Sequence, residues 1–510
     1  MKKITSILFS IVFTITAFSH SYAASVGINQ DVAGLDTTPT IDRPFAPSLL
    51  RTKNNHKATL DSFENPETCA GCHPKQYEGW RGSMHSNAWN DPIFLAEFKK
   101  GLKATDGKIF NYCAGCHSPI GVLTGTVSWD KKTNTFDISE KAARGVTCDV
   151  CHSISGAVPL KDTLTSEHGN GSHIIDTETH IKYGPLKNSK SPYHETQYSE
   201  LHTKANLCAS CHNIIHPVNG TPVERTYDEW RVSPYAQNEI VCQDCHMNSV
   251  EVAIQIAKTL KRPETFANKR VRLSGKASTL GTQDRAIVHS HEFVGGNAII
   301  SSIMAPKSLR KRKHADIAKK RLQNAAELTV HFEQRGDELF KLGVDVYNVG
   351  AGHNLPTSLT QVRHIWIEAT VTDDQGNILF ETGKLDNHHD LDEDKTVIFK
   401  SWAVDEKGKE THDPWAINHI VRDTTIPPKG HSKHEFIFAN KNNAKQISVD
   451  VKLNYRSATQ HFTDALLGPN APTIPTITME HTSNTYIQQG NDWSKLVKSY
   501  STLEEEIENN

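Results

Sequence analysis

All ten cysteines of this 510-residue chain fall in five copies of one pattern, C-x-x-C-H. The copies are Cys69-Ala70-Gly71-Cys72-His73, Cys113-Ala114-Gly115-Cys116-His117, Cys148-Asp149-Val150-Cys151-His152, Cys208-Ala209-Ser210-Cys211-His212 and Cys242-Gln243-Asp244-Cys245-His246. An exported chain with many cysteines ordinarily suggests disulfides, but here no cysteine is left outside the pattern. Zinc ribbons pair their C-x-x-C knuckles; five is odd, and zinc does not need a histidine after every pair. A thioredoxin-like redox pair needs one motif only. Two thiols three positions apart can each add to a vinyl group of one haem, and the adjacent histidine then reaches the iron as proximal ligand. The reading is five covalently bound haem c groups, held by Cys69, Cys72, Cys113, Cys116, Cys148, Cys151, Cys208, Cys211, Cys242 and Cys245. His73, His117, His152, His212 and His246 are their proximal ligands.

A low-spin iron needs a sixth ligand, usually histidine or methionine. After Met1 only Met84, Met247, Met304 and Met479 remain, against 28 histidines in the whole chain. Bis-histidine ligation and low reduction potentials are therefore expected. His85 stands in Tyr77-Glu78-Gly79-Trp80-Arg81-Gly82-Ser83-Met84-His85, and the pattern Y-x-x-W-R-x-S recurs at Tyr227 to Ser233, with Tyr235 in the place of the histidine. Tyr77 and Trp80 read as the aromatic face of a helix, and Tyr235 as a packing residue beside Pro234.

Cys-x-x-Cys-His followed by Tyr77, Trp80, Ser83 and His85 resembles the multihaem cytochrome c family, which includes the tetrahaem acceptor of hydroxylamine oxidoreductase. Gly145 to His152, Val241 to Met247, and Tyr183-Gly184-Pro185-Leu186 leading to Ser191-Pro192-Tyr193-His194 match as well, so the resemblance spans roughly residues 60–300. It implies that His85 and His194 are distal ligands to haems bound elsewhere in the chain. His291, in His291-Glu292-Phe293-Val294-Gly295-Gly296, resembles an H-x-F-x-G-G segment whose histidine reaches a haem. His353 lies in Gly350-Ala351-Gly352-His353-Asn354-Leu355-Pro356, a tight loop able to approach a porphyrin, and the resemblance again favours an axial role. The fifth distal ligand is open between His168, His173, His202 and His289, or one haem has none. Five motifs rather than four depart from the tetrahaem member, so its specific partner does not carry over.

The hydrophobic fraction, 37%, lies below the roughly 45–50% of globular proteins, as expected if porphyrins replace side chains in a haem-filled core. The formal net charge of -2 supplies no basic excess for nucleic acid. Lys2 and Lys3, an apolar run from Ile7 to Phe18 and Ser21-Tyr22-Ala23 read as a cleaved signal peptide over residues 1–23. That places the chain in the periplasm or outside the cell, with no transmembrane segment in the mature protein. An extended arm is expected over 24–60, a mostly helical and loop pentahaem domain over 61–300, and a basic connecting helix over 301–327. The helix carries Arg310, Lys311, Arg312, Lys313, Lys319, Lys320 and Arg321 on a solvated face. From there the apolar period changes to two: Phe340, Leu342, Val344 and Val346; Ile365, Ile367, Ala369 and Val371; Phe436 and Phe438; Ile447, Val449, Val451, Leu453 and Tyr455. This predicts an antiparallel β-sandwich-like domain over 328–490, an α+β chain overall, and an acidic tail over 491–510. The cysteine-free sandwich is expected to cap the haems and lend them His353. His388, His389, Asp390, Asp392, Glu393 and Asp394 read as a solvated acidic loop. The function expected is electron transfer between redox partner proteins. The alternatives are a reductase of a nitrogen or sulfur oxyanion at one open haem, or self-assembly into an extracellular filament.

Overall fold

The computed structural model describes residues 39–495, apart from 41–42, 159–167, 264–273, 282, 305–312, 337, 441–442 and 491. The expected signal peptide, most of the acidic tail and the run Arg310 to Arg312 lie outside the described residues. The chain is α+β.

Up to residue 304 it is built of short helices and loops. Many of the helices open on proline, as at Pro66, Pro74, Pro92, Pro119 and Pro234, where the missing N–H costs nothing. Strands here are only two to four residues long and form small sheets. The longest helix, Pro92–Ala104, is capped by Asp91, whose carboxylate accepts the Ile93 and Phe94 N–H groups. It buries Phe98 and Leu102, one helical turn apart, in a cluster with Phe45, Leu50, Phe63, Trp89, Ile120 and Leu123.

Two expectations change. The extended arm ends before Phe45: Phe45, Ala46, Leu49 and Leu50 are buried, and Arg51–Thr52 pairs in parallel with His173–Ile175. Apolar residues around Pro44 and Pro47 show no period in the sequence, yet Phe45 and Leu50 enter the cluster. The connecting helix is seen as Lys313–Leu322 with His314, Ala318 and Leu322 buried. Lys319 and Lys320 are exposed, but Arg321 is not on a solvated face. It donates to the carbonyls of Cys245 and Asn248, both at 2.8 Å, because the helix packs onto the turn after the fifth motif.

The C-terminal part is two antiparallel sheets around one apolar core. Ala326–Arg335, Leu339–Asn348 and His431–Ala439 form the first. The second contains Ile378–Thr382, His364–Asp373, Gln446–Arg456, Ile477–Gln489 and Asp492–Lys495, with Ile398–Phe399 against His364–Asp373. The two-residue period shows directly: Leu342, Val344 and Val346 of one sheet and Ile365, Ile367, Ala369 and Val371 of the other are all 0% exposed. Rings close the gap between sheets, Phe332 stacking on Tyr486 at 4.4 Å. The last strand carries the sandwich to Lys495, a little past the expected boundary. The expected acidic loop is exposed over most of its length, its turn folded on the Asp386 carboxylate, which accepts the His388 and Asp390 N–H groups. Among the described residues no group of three His, Cys, Asp or Glu stands ready for a metal ion.

Candidate haem-binding site

Each motif begins or ends on a short helix: Pro66–Ala70, Phe110–His117, Cys148–His152, Asn206–Ala209 and Cys242–His246. Residues three and four apart share a helix face, so one turn presents both thiols and the histidine together. Local bonds fix these turns. The Thr147 hydroxyl accepts the Val150 N–H, and the Asp244 carboxylate accepts the Val241 N–H at 2.9 Å.

The first, third, fourth and fifth motifs open into one cavity of about 1470 Å³, which His85, His194, His289, His291 and His353 also line. The second packs against the apolar cluster, its His117 ring lying face to face on Phe94 at 3.6 Å. Cysteines of different motifs are close neighbours: Cys69 of Cys148, Cys116 of Cys211, and Cys208 of Cys242.

The proximal imidazoles are oriented alike. Nδ1–H of His73 donates to the Ala277 carbonyl at 2.9 Å, that of His117 to Ala88 at 2.7 Å, that of His152 to Tyr183 at 2.7 Å and that of His246 to Val294 at 2.9 Å. This fixes the tautomer and leaves Nε2 for a metal. His212 differs: its Nδ1 lies 3.9 Å from the buried carboxylate of Glu224. Burial, with His212 second, pushes His85 down to about 3; burial, Arg321 and His353 push His246 down to about 3. Burial and His152 do the same to His291. Desolvation holds these rings neutral, the form a metal requires.

Four imidazole pairs face one another. In one, His152 with His202 at 5.9 Å, the His202 Nε2–H is turned onto the Cys151 carbonyl. The other three leave both Nε2 atoms open. Ring centroids are 6.2 Å apart for His85 and His212, 6.4 Å for His152 and His291, and 6.2 Å for His246 and His353. A metal–imidazole bond is about 2.0–2.1 Å. With a ring centre about 1.1 Å behind its nitrogen, two imidazoles on opposite faces of one iron stand ~6.3 Å apart. The residues therefore fit bis-histidine haem groups at these three places.

The second members of the pairs are supplied by loops. His85 follows helix Pro74–Arg81, whose Trp80 Nε1–H donates to Val146 at 2.7 Å. Gly145 passes so close that a Cβ there would meet the His85 carbonyl oxygen at 2.4 Å, and its φ is +68°, so only glycine serves. His353 sits on the link between the two sheets of the sandwich. A Cβ on Gly350 would strike the Asn324 carbonyl oxygen at 2.1 Å. Tyr235 is a packing residue, with its hydroxyl 3.4 Å from the Val349 carbonyl and its ring against Gly352. His194 lines the cavity, its Nδ1–H donating to the Glu195 carbonyl at 3.0 Å. Nε2–H of His202 donates to Cys151 at 3.0 Å and that of His173 to Leu207 at 2.9 Å, which occupies the nitrogen a distal ligand would use.

The sequence signature of cytochrome c554 and c-prime matches residues 68–153. Among solved structures, the chain resembles the crystal structure of a penta-heme cytochrome c552 from Thermochromatium tepidum. The TM-score is 0.55 at 16% identity, covering 83% of this chain and 98% of that one. Residues 68–153 thus carry a cytochrome c signature, within a fold shared with a penta-heme cytochrome. A structural-genomics target, SoR45, superposes with a TM-score of 0.16 at 10% identity over 35% of this chain and 98% of its own, too little to bear on the fold. No curated relative matches the chain. No helix among its described residues is long and apolar enough to cross a membrane.

Sequence reasoning missed Glu224 facing His212, Glu229 beneath the His353 loop and Arg321 beside the fifth motif. Burial pushes the Glu229 carboxyl up to about 7, with the Thr357 hydroxyl pulling the other way. Glu229 stood in the recurring Y-x-x-W-R segment, which was the one available signal. Glu224 and Arg321 had none.

Proposed function

We propose that the chain is a multihaem cytochrome c that carries five haems, one per motif, and relays electrons between redox partner proteins outside the cytoplasm after removal of residues 1–23. The three imidazole pairs at 6.2–6.4 Å carry this reading. When bound, haem supplies a one-electron centre that cycles between ferric and ferrous iron. The chain's part is to hold both axial nitrogens in place throughout, so that little rearranges as charge passes. His212 with His85, His152 with His291, and His246 with His353 are the axial sets. His73 takes His194, which lines the same cavity with Nε2 available. Of the candidates for the remaining position, His202 and His173 use Nε2 on carbonyls, which leaves His168 and His289.

One observation favours a second reading, reduction of a small oxyanion at the haem of Cys113–His117. The ring stacked on His117 is a phenyl, Phe94. One turn further along that helix lies Glu97, whose carboxyl is pushed up to about 8 by burial and by Asp413, against the pull of Lys100. A protonated acid beside an open iron could supply a proton to a bound oxyanion. Intact mass with a haem stain tests the count: five haems per chain are expected, and fewer would overturn it. Ferric spin states and carbon monoxide binding by the reduced protein separate the readings. Low-spin spectra throughout favour the relay; one high-spin, carbon monoxide-binding haem that His117→Met alters favours the reductase.

A further inference from the structure

The distal ligand of the fifth motif comes from a different part of the fold than the motif itself. His246 belongs to the motif-bearing region, and His353 to the sandwich. Most bonds of the His353 loop tie it to its own sandwich. Asn348 Nδ2–H donates to the His353 carbonyl at 2.9 Å, Asn354 Nδ2–H to Thr425 Oγ1 at 2.9 Å, and Leu355 N–H to Ile426 at 2.9 Å. These fix the loop's shape without saying where it stands relative to His246.

Glu229 does that. It lies on helix Thr226–Arg231, which precedes the fifth motif, and it is buried. One oxygen, Oε2, accepts the Asn354 N–H at 3.1 Å and the Thr357 hydroxyl at 2.5 Å. Asn354 is the residue after His353, so the Glu229 carboxyl grips the loop next to the imidazole. Around it runs a longer chain of contacts. The Thr357 and Thr226 hydroxyls are 2.9 Å apart, and Thr226 donates at 2.7 Å to Glu224, the carboxylate that faces His212. The same helix therefore touches the surroundings of two proximal or distal imidazoles that serve different motifs.

A carboxylate buried without donors is expensive, so the helix and the loop need each other. The helix supplies the acceptor, and the loop supplies an N–H and an O–H. We propose that Glu229 is the positioning residue that holds His353 on the iron of the Cys242–His246 haem. This rests on the pairing of His246 with His353 given under Proposed function. Glu229 touches neither imidazole. Its effect passes through the backbone of Asn354.

The test uses the full-length holoprotein with its haems attached. In Glu229→Ala the loop loses its grip while its internal bonds remain. One haem of the five is expected to turn high-spin in the ferric electron paramagnetic resonance spectrum and to bind carbon monoxide when reduced, the other haems keeping their wild-type signals. Glu229→Gln, which keeps an acceptor oxygen, is expected to restore most of the low-spin signal. His353→Ala should give the same high-spin haem, and adding Glu229→Ala to it should change nothing more. Thr357→Val, which removes one donor and leaves the carboxylate in place, covers the case in which Glu229→Ala fails to fold; it is expected to give the same haem partial high-spin character. If His353→Ala creates the high-spin haem and neither Glu229→Ala nor Thr357→Val does, the positioning role is overturned while the ligation stands. If His353→Ala leaves every haem low-spin, the ligation itself is wrong, and the role of Glu229 falls with it.

Discussion

The two halves of the molecule solve burial in opposite ways. The sandwich closes on its own side chains: Leu342, Val344, Ile365, Ile367, Val449 and Val451 are fully buried, and two sheets share one core. The motif region has an apolar cluster to one side, yet four motifs surround a cavity of about 1470 Å³. A protein interior is close-packed, and a void forfeits contacts on every wall. The sandwich has the residues to be stable by itself. On the proposed function, the motif region is a mould that haem completes.

The largest expected effect follows from that difference. A chain made without haem attachment, with all ten cysteines replaced by serine, should keep a protease-resistant fragment covering about residues 326–495, while the motif region is digested. Limited proteolysis with mass spectrometry reads this. Equal resistance of both regions would show that the cavity walls hold without the cofactor. A smaller effect tests the other side. Ile367→Ala in the sandwich core should cost about 2–5 kcal/mol and lower the denaturation midpoint of the sandwich, with the haem spectra unchanged below that midpoint. A loss of haem signal before the sandwich melts would mean that the two regions fold as one unit.

The smallest effect concerns the seam inside the motif region. Burial pushes the Asp176 carboxyl up, but bonds from Lys53, Thr179, Tyr183 and the Glu178 N–H outweigh it and hold it well below its ordinary range. A depressed carboxylate stabilises the fold above its unfolded value, about 3.9, and that contribution fades as pH falls towards the native value. The stability difference between the wild type and Asp176→Asn should therefore be full at neutral pH and shrink below about pH 4. Thermal melts across that range check it, and a difference that grows on acidification contradicts it. Tyr183 links this seam to the site, since its hydroxyl donates to Asp176 at 2.8 Å and its carbonyl receives Nδ1–H of His152.

How much could be read from the sequence also differs between the regions. In the sandwich the period of two placed Phe340 to Val346 and Ile365 to Val371 on strands, because each half-buried strand writes its own pattern. The candidate haem attachment residues were equally plain, since that chemistry would force thiols and imidazole into five adjacent positions. His85, His291 and His353 stood out by their neighbours, and each now faces a proximal imidazole. Which one each faces was not legible. His85 meets His212, far along the chain, and only the folded path decides that. Glu229 and Arg321 were hidden for a similar reason: a buried carboxylate and a buried guanidinium look like surface charge until their partners are known. Phe45 to Leu50, between prolines, carried no period and read as an exposed arm.

The thiol contacts between motifs have a consequence for the layout as a network. The fourth motif touches the second through Cys211 and Cys116 and the fifth through Cys242 and Cys208, and Cys151 of the third lies within electrostatic reach of Cys208 and Cys211. The first is joined to the third through Cys69 and Cys148. The layout is a tree with a three-way junction and three ends, rather than a line. Removing a terminal node trims one branch and leaves the other two connected. If each motif holds one haem, as proposed, the position at Cys208–His212 is the one whose loss separates all three branches.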